Sequence, residues 1–328
     1  MSFYSENIFD EVLIKPLQAG ADKLIVVSGY ASANMVARHA YFIKKIIGKK
    51  LNLELIVGMC GQDGLELQNH KSFINLESSP DIDFKCSYIT NRPPIHSKVY
   101  TWLKNGDPVE CFTGSANYTQ NAFSNSMREA LVGANPIDGL NYFNNVINES
   151  VRCSDDPEKI KAYIEIYNRK RIVVDYNEFE ESNDIQNGSD NFSDLPKVTL
   201  TLLNKRNGEV PAKSGLNWGQ RPEYNRNPNQ AYINIPMDIG RSGFFPEKGT
   251  AFTIATDDDK QIICMRVSDG GKGLNSTLNN ALIGEYFRYR LNLRNGAPVH
   301  LEDLLRYGRT DVDIYKIDEE NYFMDFSV

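Results

Sequence analysis

The 328-residue chain is poor in the residues that build metal centres and cross-links. It has four histidines (His39, His70, His96, His300) and five cysteines (Cys60, Cys86, Cys111, Cys153, Cys264), with no HExxH, no CxxC and no cluster of the two types. That argues against a zinc site, and no metal or other cofactor is expected. The cysteines are odd in number and scattered through apolar, strand-like contexts, which points to buried free thiols in a reducing compartment. Apolar runs such as Leu24–Val27 and Leu55–Val57 are strand-length, far short of the ~20 residues that span a bilayer. The first residues show no basic segment followed by an apolar core, so a cytoplasmic protein is expected. No GxxxxGK[ST] occurs, so any nucleotide hydrolysis would come from another subunit. Positive charge is also lacking: a net −7 argues against unspecific coating of nucleic acid but allows a specific binder with its basic groups on one face.

The chain is long enough for two domains of roughly 150 residues. In the first half, short apolar strands at 23–30, 51–59, 83–89, 98–103, 109–113 and 130–133 interleave with helical patterns. Met35, Val36, His39, Phe42, Ile43, Ile46 and Ile47 recur at helical spacing, and Gly48 closes that helix. Further helices are expected at 64–73 with Asp63 as cap, at 136–146 and at 157–169. This is an α/β domain with a mixed sheet covered by helices, assigned to residues 1–175. Residues 176–195 are acidic, polar and poor in β-branched side chains, and read as a linker. From residue 196 the pattern becomes short strands between turns with helices at 279–293 and 301–307, a mostly-β pseudobarrel over 196–328.

Residues 95–118 concentrate the chemistry. His96 and Lys98 are two apart on a strand, so they share one face. A histidine can attack phosphorus through a neutral ring nitrogen, and an adjacent lysine supplies charge for the phosphoryl oxygens. After the turn at Asn105-Gly106-Asp107-Pro108, a second strand ends in Gly114-Ser115-x-Asn117. A helix expected at 117–123 would offer backbone N–H groups to a phosphate, with Ser115 and Asn117 adding side-chain donors. Glu129, at the start of the next strand, is placed to orient His96. An HxK pair alone is common on surface strands; the whole series His-x-Lys, Gly-Ser-x-Asn and Glu is far more specific.

That series resembles the catalytic half-motif of the phospholipase D superfamily. The fullest form of the motif has an aspartate five residues after the lysine; here that position is Leu103. Several nuclease branches also lack it, so the resemblance implies a nuclease more than a lipase, with the orienting role falling to Glu129. The motif occurs once, whereas the superfamily mechanism uses two histidines. The resemblance therefore implies a homodimer pairing two copies of His96, a phosphohistidine intermediate and no metal. The Gly58–Gly64 turn and Tyr30 lie at strand ends near this cleft, with a tight turn capped by Asp63 as the simpler reading.

The C-terminal half is similar to the DNA-recognition domain of NgoFVII-family type II restriction endonucleases, which fuse a phospholipase D-like nuclease to a plant B-three-like DNA-binding pseudobarrel. The resemblance rests on Asp269-Gly-Gly-Lys272-Gly-Leu-Asn275-Ser276-Thr277-Leu-Asn279-Asn280, Gly284-Glu-Tyr-Phe-Arg288-Tyr-Arg290-Leu, Tyr307-Gly-Arg309-Thr-Asp-Val and the closing Tyr315–Ser327 pattern. Two loops carry residue types that read base edges or stack: 212–226, with Lys213, Asn217, Trp218, Gln220, Arg221, Tyr224, Asn225 and Arg226, and 268–277, with Lys272, Asn275, Ser276 and Thr277. Proteins of that fold grip a duplex with two arms, and these loops are assigned to them. Arg288, Arg290 and Arg294 read equally as salt-bridged, solvated or phosphate-bound.

The expectation is a sequence-specific endonuclease of double-stranded DNA. The resemblance allows a separate ATPase or helicase-like subunit and a cognate methyltransferase, and gives no membrane partner. A non-specific nuclease or phospholipase, and a DNA-binding protein with an inactive nuclease domain, are the competing readings.

Overall fold

A computed structural model of the chain describes residues 2–124, 127–168, 195–267 and 269–328. The acidic stretch expected as a linker lies outside the described residues, apart from Leu195 at its end. Strands of the N-terminal half are β1 (Phe3–Tyr4), β2 (Lys23–Ser28), β3 (Asn52–Val57), β4 (Leu65–Glu66), β5 (Asp83–Ile89), β6 (Lys98–Lys104), β7 (Asp107–Gly114), β8 (Leu131–Ala134), β9 (Ser150–Arg152) and β10 (Ile166–Tyr167). Eight of them form one sheet in the order β1-β8-β7-β6-β2-β3-β5-β9, with β2, β3 and β5 parallel and the other pairings antiparallel.

The unbroken apolar run of β2 follows from burial on both faces. Leu24 and Val26 pack into one core with Val36, Leu53, Tyr100 and Trp102, while Ile25 and Val27 pack into another with Ile56, Phe143 and Val146. The helix Ala33–Ile47 covers the first face; Ser32 caps it by accepting from the Met35 N–H, and Gly48 ends it at φ 75°. The helix Pro136–Ile147 covers the second, with Asn135 as cap and proline in its first turn. Asn105 (φ 53°) and Gly106 (φ 92°) make the tight hairpin that folds β7 back on β6.

Three helical expectations need correction. Asp63 ends a short helix, Cys60–Asp63, and the next runs from Leu67 to Glu77, because Leu65–Glu66 extends to pair with β10. That pairing also shortens the expected 157–169 helix to Pro157–Lys161. Residues 117–124 form turns instead of a helix: Asn117, Thr119, Asn121 and Ser124 favour local bonds over helix propagation, and the Asn117 side chain is already committed.

The C-terminal half is a seven-stranded barrel-like sheet of β11 (Lys197–Thr201), β12 (Ile233–Asn234), β13 (Ala251–Thr256), β14 (Gln261–Arg266), β15 (Gly273–Ser276), β16 (Asp311–Lys316) and β17 (Asn321–Asp325), in the order β11-β16-β17-β13-β14-β15-β12. Phe252, Ile254, Phe287, Val312 and Tyr322 fill its core. Within the expected 268–277 loop, Gly273–Ser276 is a strand: sheet partners on both sides override a sequence with little β-propensity. The helices here are a short one at Met237–Arg241, which was not expected, Leu282–Arg290, shorter than expected, and Leu301–Tyr307.

The two halves touch directly. The buried Gln120 carboxamide accepts from the Ala251 N–H at 2.9 Å and donates to the Ala251 carbonyl at 2.8 Å. Asn34 accepts from Thr253 Oγ1 and donates to Glu320, and Ile263 and Leu278 pack against the N-terminal core.

Candidate active site and DNA interface

His96, Lys98, Ser115, Asn117 and Glu129 converge at one end of the large sheet, where the ends of β2 and β3 meet the start of β6 and the end of β7. Two close approaches make this possible. A Cβ on Gly58 would lie 2.0 Å from the Ile95 carbonyl oxygen, so only glycine lets the segment carrying His96 run against the β3 end. A Cβ on Gly114 would lie 2.1 Å from the Ala130 carbonyl, so the Gly114-Ser115 turn must also be bare to bring Glu129 beside it.

His96 is exposed and lies two residues before β6, not on the strand as expected, whereas Lys98 is buried at the strand's start. Lys98 Nζ lies 3.1 and 3.2 Å from the two His96 ring nitrogens and donates to the His96 carbonyl at 2.6 Å. Burial lowers the Lys98 ammonium from its ordinary pKa, against the pull of the Glu129 carboxylate. Ser115 Oγ donates a short hydrogen bond to Glu129 and accepts from the Ala130 N–H at 3.1 Å. Asn117 Oδ1 accepts from the Tyr30 N–H at 3.1 Å. Glu129 therefore meets Ser115; the expected hydrogen bond from Glu129 to His96 is not formed within one chain. Lys98, Ser115 and Asn117 can bind an anion held against His96, which is what a phosphodiester needs.

The other histidines have structural partners. His39 is fully buried between Tyr118 Oη and the Leu13 carbonyl, and desolvation pushes its pKa down to about 4. His70 bonds to Tyr88, and His300 caps the helix Leu301–Tyr307. All five cysteines are buried free thiols. Among the described residues no group of three or more His, Cys, Asp or Glu side chains is placed to hold a metal, and no helix is long and apolar enough to cross a membrane.

The barrel sorts the residues expected to contact DNA into two sets. Lys213 and Lys272 are exposed; Trp218 and Arg221 are half-buried. Arg226 stacks its guanidinium over Trp218 at 4.3 Å and near Tyr224 at 5.6 Å. Asn225 stands at φ 50° at the loop tip. The second set is turned inward. Buried Asn217 bonds to the Val299 N–H and carbonyl, and Gln220 donates to the carbonyls of Pro228 and Gly296. Asn275, Ser276 and Thr277 are buried on or just after β15; Ser276 donates to Asn279 and Thr277 to Ile263. Arg288 is fully buried among backbone carbonyls, and Arg290 makes a paired bond to Asp257 at 2.7 Å. Beside the first loop a cavity of about 330 Å³ is lined by Lys205, Arg206, Ser214, Tyr232 and Asn234. The adjacent lysine and arginine in a turn were the sequence signal for it, and it was missed.

Comparison with known proteins places both halves. Residues 6–159 match the family model of the NgoFVII restriction endonuclease N-terminal PLD domain, and residues 190–318 that of the NgoFVII C-terminal B3-like DNA-binding domain. No curated protein matches the sequence. Among solved structures, NucT from Helicobacter pylori is similar at 16% identity and TM-score 0.32, covering 46% of this chain and 97% of its own. Nuc from Salmonella typhimurium, a phospholipase D family member, is similar at 17% identity and TM-score 0.33, covering 46% and 94%.

Proposed function

This chain belongs to the NgoFVII restriction endonuclease family, and on that premise we propose that it cleaves double-stranded DNA at a specific sequence, using His96 as nucleophile. The observation that carries the reading is an exposed His96 ring held beside Lys98 Nζ, with Ser115, Asn117 and Glu129 gathered around it. A ring nitrogen of His96 attacks phosphorus, and the bond to the leaving sugar oxygen breaks. Lys98, Ser115 and the Asn117 side-chain N–H groups hold the non-bridging oxygens as charge builds on them. Glu129 fixes Ser115 and balances the Lys98 charge.

One chain supplies one such histidine. The leaving oxygen takes its proton from His96 of the partner subunit in a homodimer built through the N-terminal domain. Water then attacks the phosphohistidine, its proton passes to that second histidine, and the P–N bond breaks to regenerate His96. The charge a metal would supply comes from Lys98, so the reaction runs without one.

The barrel delivers the target. Lys205, Arg206, Lys213, Arg221, Arg226 and Lys272 contact phosphates and base edges, with Trp218 and Asn225 packing against the groove. Asn217, Gln220, Asn275, Ser276 and Thr277 act one step back, holding the arms in shape. We assign residues 1–175 to the nuclease and 196–328 to recognition.

Plasmid digestion with excess chelator, followed by mapping of fragment ends, tests the reading. Discrete ends without metal, and a loss of at least ~10⁴-fold in His96→Ala, are expected. Random ends would leave a non-specific nuclease, and strict magnesium dependence would refute the mechanism.

A further inference from the structure

We infer that Tyr30 and Asp63 form a positioning pair that fixes the His96 imidazole for attack, an inference that rests on the nuclease reading above. Tyr30 follows β2 beside the site and remains 41% exposed. Its ring meets the His96 ring edge-to-face, with centroids 5.9 Å apart and planes at 81°. Its hydroxyl donates to Asp63 Oδ2 at 2.6 Å, and its N–H donates to Asn117 Oδ1 at 3.1 Å. Its carbonyl accepts from Ser28 Oγ at 2.6 Å, and Ser28 Oγ in turn accepts from the Tyr118 N–H at 2.9 Å. Tyr30 therefore ties β2, the catalytic turn and the helix Cys60–Asp63 to one face of the nucleophile.

A histidine that attacks phosphorus must present one ring nitrogen in line with the leaving oxygen. Lys98 lies close to both ring nitrogens, so it does not by itself select one orientation. The Tyr30 ring blocks rotation on the other side, and Asp63 prevents Tyr30 from swinging into solvent. The Asp63 bond also raises the Tyr30 phenol above its ordinary pKa, keeping it a neutral donor. A recess of about 200 Å³ behind Tyr30 is lined by Met59, Asp63, Glu66, Asn69 and Tyr167. Among the described residues no lysine or arginine lines that recess to hold a phosphodiester, so Tyr30 acts through His96.

The test is a kinetic and spectroscopic comparison of Tyr30→Ala, Tyr30→Phe, Asp63→Ala, Asp63→Asn and the Tyr30→Phe/Asp63→Ala double variant. Misplacing a reacting group by about 1 Å costs ~10²-fold, so Tyr30→Ala should lower kcat by about ten- to a hundredfold with KM for duplex unchanged. Tyr30→Phe and Asp63→Ala should show smaller, equal losses that do not add in the double variant, and Asp63→Asn, which keeps an acceptor, should restore most of the rate. Long-range ¹H–¹⁵N spectra should show one sharp His96 tautomer in the wild type and a broadened ring in Tyr30→Ala. Wild-type kcat in Tyr30→Ala, or a rise in KM at constant kcat, would overturn the inference. If the wild type cut no DNA the nuclease reading would fail alone, since the His96 spectra would still decide the role of Tyr30.

Discussion

Gln120 offers a sharp test of how the two halves are joined. It lies three residues after Asn117 and is 2% exposed. Its carboxamide pairs with both backbone groups of Ala251, the first residue of β13, just before the parallel pairing with β17 begins at Thr253. The side chain thus completes a ladder that β17 leaves open. In Gln120→Ala the Ala251 N–H and carbonyl lose their partner, at ~1–3 kcal/mol each, so a loss of about 2–6 kcal/mol is expected. Gln120→Glu keeps the acceptor but sets a buried carboxylate against the Ala251 carbonyl and beside Glu320, and should cost more than Gln120→Ala. Trp102 lies in the nuclease half and Trp218 in the barrel, and the chain has no other tryptophan. In a Trp218→Phe background, denaturant unfolding followed by Trp102 fluorescence reports the nuclease half, and circular dichroism reports the whole. Coincident transitions in the parent and separated ones with Gln120→Ala are expected. A change below ~0.5 kcal/mol, with the transitions still coincident, would refute the reasoning.

Three further outcomes follow from the same contacts. His39 has a folded pKa of about 4 against 6.5 unfolded, so the unfolded chain takes up a proton first. Stability should fall by about 3 kcal/mol as pH drops from 6.5 to 4, measured by denaturation across that range, and His39→Gln should flatten the slope. Burial opposes ionisation of Asp257, but Arg290 and the Phe326 N–H together outweigh it and hold the carboxyl below its ordinary range. Its contribution is present above that range and lost as pH falls through the folded pKa; Arg290→Ala should cost the barrel ~3–5 kcal/mol at neutral pH by calorimetry. On the DNA side, Arg221→Ala and Lys272→Ala should each weaken duplex binding and lower the salt slope by about 1, with melting unchanged; unaltered titrations at two salt concentrations would remove these residues from the interface.

Elements held by local chemistry were legible from the sequence. The helix Ala33–Ile47 has its serine cap, apolar stripe and closing glycine in order, and the β6–β7 hairpin has Asn105-Gly106 at its tip. His96, Lys98, Ser115, Asn117 and Glu129 could be picked out as a motif, but not from strand alternation: His96 and Glu129 lie just outside β6 and β8, and the close approaches at Gly58 and Gly114 bring them to the sheet end. What was not legible depended on distant partners. β15 exists because β14 and β12 flank it, and Leu65–Glu66 is extended because β10 arrives from a hundred residues away. The turns after Asn117 replace a helix because Tyr30 and Ala251 engage Asn117 and Gln120. Asn217 and Gln220 have the chemistry of base readers, yet they bind the backbone of the distant segment at Gly296 and Val299.

The central claim is that His96 forms a covalent bond to the phosphorus of DNA. Duplex carrying the target is mixed with enzyme in excess chelator, quenched at alkaline pH where a P–N bond survives, digested and analysed by peptide mass spectrometry. The account predicts a phosphoryl-DNA adduct on the peptide containing His96 that rises and decays during turnover and is absent in His96→Ala. Full cleavage with no adduct at any time point, in a reaction that stops when magnesium is removed, would contradict it.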